Sequence, residues 1–446
     1  MKKNKLAALS LTLILSISMF LPVHAEEKDK VLTLTIEDAV KAGIENSTAL
    51  KQIQNEIEIS KLADNYARFK KDELHDADKA IREGYEKVSQ TELIMANRGM
   101  TPEQIAAATK SARDSLNSGS QKLGEALITA GGSLSEKLNM ASMESLGVDS
   151  TGELMTSMTD AQLTVTKSSY EIYKNQIAML IKKSYYDVLK AEKMLAVKEK
   201  AMERGKKQWE FARDSYEAGM KAKDDMLLAE VYYKGTQIEY KKALGDKRNA
   251  FIELKKNMNI PAETEIKLKD VLAEKIEPQN LEEGLISGMK NRLEMKKALA
   301  EEVIYIANHN YVKRYYDRIT FQYAEAELRK EKAVLNFDRT KQEVESSIRQ
   351  SYETLNTTGE MLETSKEMAE KAKESLEIAE YKYKEGFGSD SSLLKKLDLE
   401  SSAGTIVEVL AAEENLSQVE AKAVEITYGY NLAKIKYFND IGKFIY

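Results

Sequence analysis

Side chains able to do chemistry are few in this sequence, and they do not converge. His24, His75 and His309 are the three imidazoles, and no cysteine accompanies them. A zinc site needs four donors at short spacings, and no two of these histidines lie close together. There is no phosphate-cradling P-loop, no dinucleotide fingerprint and no serine nucleophile elbow. The acidic pair Asp224 and Asp225 reads as a solvated helix face rather than an acid–base couple. Tyr315 and Tyr316 read as packing rather than a stacking platform. These residues argue against an enzyme, and no cofactor or metal is expected.

The balance of residue types points to long helices. Of 446 residues, 31% are charged and only four are proline, a composition typical of extended helical chains. The formal charge of −6 argues against nucleic acid as a partner. Residues 1–25 read as a secretory signal. Lys2, Lys3 and Lys5 precede an apolar run over 6–21, and Val23, His24 and Ala25 form a cleavage site. The run is marginal for a spanning helix. With no cysteine there is neither a disulfide nor a lipid-anchoring thiol. An exported chain of the cell envelope is expected.

The elements that must position everything else are heptads. Over 181–216 every seventh residue is large: Ile181, Val188, Leu195, Met202, Trp209, Tyr216. Three residues after the first five come Ser184, Ala191, Lys198, Gly205 and Ala212, mostly small. Adding 167 to each number recovers the pattern in Ile348, Leu355, Leu362, Ala369, Leu376 and Tyr383, with Ser351, Thr358, Ser365, Ala372 and Ala379. A strict seven-residue repeat marks supercoiled helices. A helix after residue 405 carries Val409, Leu416, Ala423, Tyr430 and Tyr437 in the same rhythm. Each large stripe ends in Tyr-x-x-Gly, at Gly219 and Gly386, where the chain turns back. Two antiparallel hairpins with glycine tips follow. At ~1.5 Å per residue, a 36-residue arm reaches roughly 55 Å.

A second repeat precedes the heptads. Thr35 stands three residues ahead of Asp38, a capping signal for an opening helix. The segment 37–51 returns at 282–296, with Gly43 and Asn46 matching Gly288 and Asn291 at an offset of 245. The chain therefore divides into the leader 1–25, half one over 26–260, a connector over 261–280, and half two over 281–446. The hairpins are expected over about 167–258 and about 331–441. The offsets differ by 78, so half one holds an insertion over about 75–165, rich in Gly, Ser, Thr and Met. Its segments 102–116 and 133–146 carry the apolar spacing of short amphipathic helices. Packing on neighbouring helices, or a Met-rich surface for a partner or membrane, are the readings open for it.

The order of these features resembles the TolC or outer-membrane efflux protein family. The likeness rests on the opening helices with Asn46 and with Asn291 and Arg292, the Tyr-x-x-Gly tips, the run 405–410 and the duplication. That resemblance implies an all-α protomer of long antiparallel coiled-coil hairpins, assembled as a homotrimer around a helical tunnel. Its tips would dock a membrane-fusion adaptor and an inner-membrane pump. Gly219, Met220 and Asp225 match the first tip. Gly386, Gly404 and Thr405 match the second. Glu408 falls where the family places an acid lining the aperture, and a ring of three carboxylates suits a selective constriction. An ordinary solvated helix position is an equal reading of Glu408. Ala411 stands where a second acid is expected, and residues inserted after Gly386 displace a basic one.

Family members also close a β-barrel, which needs strands of ~9–11 alternating residues. Alternation occurs only at 162–166 and 318–323, so the barrel is expected to be absent or vestigial. The insertion occupies the place of barrel strands and is expected to cap the end opposite the tips. An outer-membrane location would follow only if a barrel existed. A conduit of an export system is the leading function; a non-transport structural or interaction coiled coil of the envelope is the alternative.

Overall fold

A computed structural model describes residues 31–137, 147–385 and 405–443. The leader, residues 138–146 and residues 386–404 lie outside the described residues. The chain opens with β1 (Leu32–Leu34), α1 (Ile36–Asn46), α2 (Thr48–Asn97) and α3 (Pro102–Lys137). It continues through α4 (Val148–Glu217), α5 (Lys223–Asn257), β2 (Ile266–Leu268) and α6 (Leu281–Asn291). α7 (Leu293–Tyr315), α8 (Phe321–Glu385) and α9 (Ile406–Asp440) complete it. The fold is all-α, with two internally duplicated halves built as long antiparallel hairpins.

The duplication is visible as contacts. α1 and α6 are both 11 residues long and end at Asn46 and Asn291. α5 and α9 are both 35 residues long. Thr35 caps α1 reciprocally with Asp38, as its spacing predicts. Gly43 of α1 lies directly on Ile181, and Gly288 of α6 lies on Ile348. One offset relates the glycines and the other the isoleucines, so both repeats meet in a single contact made twice. Neither glycine has a left-handed backbone; close approach alone requires them. Alanine at either site is expected to cost about 1–3 kcal/mol through overpacking, read by urea unfolding. Gly288→Ala should cost more, because the carbonyl of Asp440 stands 3.0 Å from its Cβ position and cannot yield as a side-chain tip can.

Burial follows the stripes unevenly. Ile348, Leu355, Leu362, Leu376 and Tyr383 are all buried, as are Val409, Leu416, Tyr430 and Tyr437 facing them from α9. On α4, Ile181 and Val188 are buried, Leu195, Met202 and Trp209 are half-buried, and Tyr216 is 38% exposed. The small stripe of α4 stays inside at Ser184, Gly205 and Ala212. Against it α5 presents Ala229, Thr236 and Ala243, seven apart and buried. α4 packs on α5, and α9 on α8; α4 also packs on α9, setting the two hairpins side by side.

The connector ties the halves together. The Tyr185 hydroxyl of α4 shares its one proton between the Leu34 carbonyl at 2.9 Å and Asp270 at 2.8 Å. Further along, Asn431 of α9 accepts from Ala273 N–H (3.0 Å) and donates to the Ala273 carbonyl (2.9 Å). Tyr430 donates to the Lys275 carbonyl at 3.2 Å and accepts from Glu277 N–H at 3.1 Å. Buried side chains thus satisfy a non-helical backbone that crosses both halves.

The two alternating stretches carry no strand, and one local expectation is corrected. Residues 162–166 are helical inside α4, and 318–323 form a turn entering α8, where Thr320 accepts from Tyr323 N–H. Five or six alternating residues without a partner strand cannot outweigh the helical sequence continuing on both sides. The strands among the described residues are β1 and β2, a parallel pair of three residues each, far below spanning length. No described helix is long and apolar enough to cross a membrane. Nor is 102–116 a short helix of its own. One helix, α3, runs 36 residues through Gly119 and Gly124, and residues 138–146 lie outside the described residues.

α3 runs back along α2, which itself continues unbroken for 50 residues. Glu92 takes Arg113 and the Thr109 hydroxyl, Tyr85 donates to Asn117, and Leu116 lies over Gly84. α4 begins beside His75, which contacts Asp149 at 3.0 Å. The far part of the α2–α3 pair therefore projects past α4, at the end away from Gly219. Residues 148–165 belong to α4, with Leu154 buried against Val312 and Tyr323. Replacing 78–119 by a short glycine-serine turn is expected to leave the hairpins folded, with their thermal transition intact. Extending the deletion to residue 160 should abolish that transition.

Candidate functional site at the hairpin tips

The first tip is closed by backbone hydrogen bonds. Gly219 has φ +70, and its N–H reaches the Tyr216 carbonyl at 2.9 Å while Met220 N–H reaches that of Ser215 at 2.9 Å. This is a Schellman closure, which places a left-handed residue just past the helix. A Cβ at Gly219 would meet nothing within 4 Å, so conformation and not space selects glycine. Met220 is then thrust outward, 71% exposed. Asp224 and Asp225 occupy the first turn of α5, where the helix dipole favours acids. Burial pushes the Asp225 carboxyl up, and Asp224 beside it pushes the same way.

Tyr383 joins this tip to the second hairpin. Its ring is 1% exposed, edge-on to Phe211 at 5.6 Å, and its hydroxyl donates to Asp225 at 3.4 Å. Lys221 caps it from the first tip, with Nζ 4.4 Å from the ring centroid and 3.3 Å from the Tyr383 carbonyl. Tyr383, Leu376, Ile406, Val409 and Ala412 share one core with Ala212 and Ala229. The first tip and the described ends of α8 and α9 are thereby one packed unit.

Thr405 is the N-cap of α9 in an extended conformation. Gly386 and Gly404 lie outside the described residues. Glu408 is 3% exposed and takes Lys382 at 3.2 Å. The solvated reading of Glu408 is therefore corrected: apolar Ile406 and Val409 carry that turn into the core, and Lys382 neutralises the acid there. The sequence reading missed Tyr383 as a hub, and missed Lys221 and Lys382. The place of Tyr383 in the large stripe was the available signal; the lysines gave none. Among the described residues no three His, Cys, Asp or Glu side chains gather as a metal would need. His75 and His309 sit at the opposite end from the tips, on α2 and α7.

Paired helical hairpins with this connectivity define the class: the protomer fold of TolC-like outer-membrane channels. A membrane protein from Pseudomonas aeruginosa superposes with a TM-score of 0.54 at 14% identity, over 65% of this chain and 74% of its own. The outer membrane protein VceC from Vibrio cholerae gives 0.54 at 12% identity, over 65% and 75%. CusC, whose structures concern folding and transmembrane channel formation, gives 0.53 at 13%, over 65% and 74%. At such identities the likeness is one of fold. No protein-family model matches the chain, and no curated protein matches it.

Proposed function

We propose that this chain is an exported envelope protein that assembles as a homotrimer into the helical conduit of an efflux or secretion system. Its tips, at Gly219, Met220, Asp225, Gly386, Gly404 and Thr405, dock a membrane-fusion adaptor and through it an inner-membrane pump. The fold supports the class, and one observation carries the assembly. The outer helices have a second apolar heptad face that nothing among the described residues covers. α5 exposes Val231, Ile238 and Ile252, on the side away from its buried Ala229 and Thr236. α8 exposes Met361 and Met368, seven apart, and nearer its start, at a different heptad position, Phe321, Leu328 and Leu335. α2 exposes Ile59, Leu62, Tyr66 and Phe69.

Single exposed apolar residues are ordinary, but aligned stripes on both edges of one protomer call for burial. α4 and α9 form its middle, with α5 and α8 on either side. Unlike edges that meet head to tail close into a ring when the rotation between copies closes. The occupant of these faces is therefore a second copy of this chain. Light scattering of the purified full-length protein tests this: three chain masses are expected, and a monomer or dimer at micromolar concentration would overturn it.

A further inference from the structure

The seam between the halves contains a buried polar layer. Arg204 of α4 donates from Nε to Glu413 at 2.7 Å and from Nη2 to Glu420 at 3.1 Å, both on α9. Glu413 is 0% exposed, and its Oε1 finds no hydrogen-bond partner among the described residues. Tyr232 of α5 buries a hydroxyl, also without a partner, in the field of Glu413 and Glu414. Gln208 of α4 donates to Glu380 of α8 at 2.5 Å. Four helices thus meet around Glu413, with Glu380 and Glu420 adding charge of the same sign and Arg204 alone opposing it. A buried carboxylate oxygen left bare carries its desolvation cost in full. A protonated carboxyl escapes most of that cost and has an O–H to give.

We propose that the Glu413 carboxyl is a proton-operated latch between the two halves. Carrying its proton, it closes the α4–α9 seam; losing the proton loosens that seam and frees the second hairpin to shift against the first. The latch rests on geometry within one chain and stands apart from the conduit reading. Burial pushes Glu413 up to about 7, outweighing the pull of Arg204, and Glu380 and Glu420 add to the rise. A carboxyl raised in the closed state binds its proton more tightly there than in an open, hydrated one. Closure is therefore strongest below the ordinary value of 4.5 and is lost as pH climbs through about 7. That gap corresponds to a roughly 300-fold change in the ratio of closed to open.

Trp209, the single tryptophan, lies on α4 beside this layer and stacks on Tyr233 at 5.7 Å. Its emission in the full-length protein, followed from pH 5 to 9, reads the seam directly. The expected result is a sigmoidal shift with its midpoint near 7. Glu413→Gln, neutral and of the same shape, should hold the low-pH spectrum throughout. Arg204→Met should move the midpoint upward, and His309→Gln, at the far end, should leave it in place. A flat wild-type profile, a transition surviving in Glu413→Gln, or one lost in His309→Gln overturns the latch.

Discussion

Truncating Tyr383 to alanine is expected to destabilise the protomer by about 3–5 kcal/mol, the range for emptying a buried aromatic site. The ring closes the core shared by Ala212, Ala229, Ile406 and Val409, and Lys221 and Asp225 of the first tip rest on it. Its loss removes packing and separates the tips together. Tyr383→Phe deletes only a long hydrogen bond to Asp225, so about 0.5 kcal/mol is expected. Urea unfolding measures both, and proteolysis at 218–222 should quicken in the alanine variant alone. A loss below about 1 kcal/mol in Tyr383→Ala would show that the tips are held elsewhere.

Placing a charge on either outer stripe should undo assembly while sparing the protomer. Ile238 of α5 and Met368 of α8 are at least half open to water, at 67% and 50%. Substitution by glutamate is then nearly neutral for folding, within about 0.5 kcal/mol. In an assembled wall each would bury an unpaired carboxylate at every interface. A cost of about 3 kcal/mol per contact corresponds to more than about 100-fold weaker association. Analytical ultracentrifugation of Ile238→Glu and Met368→Glu should show monomers with unchanged helical circular dichroism. Sedimentation like that of the wild type would mean that these stripes face solvent in the working protein.

Periodicity proved informative about faces and poor at naming what covers them. The large-and-small rhythm over 181–216 and 348–383 located both hairpins, and Gly219 marked its turn, because a Schellman closure needs a left-handed residue. Gly43 and Gly288 looked like mere repeat markers until Ile181 and Ile348 proved to lie beneath them. The alternation at 162–166 was too short to mark a spanning strand, and a five-residue pattern fits a helix edge as well. The length of α3 was hidden by glycines that usually signal loops. The apolar flanks of Glu408, Val407 and Val409, were a legible sign of burial. Lys382, 26 residues away across the unlike second tip, was not.

The most direct test is a cryo-EM cross-section of the assembled full-length particle midway between its ends and the tips. The expected section shows α4, α5, α8 and α9 from each of three copies arranged around an axis free of protein, with α5 of one copy against α8 of the next. A solid bundle with the stripes of α5 and α8 turned to water would contradict it.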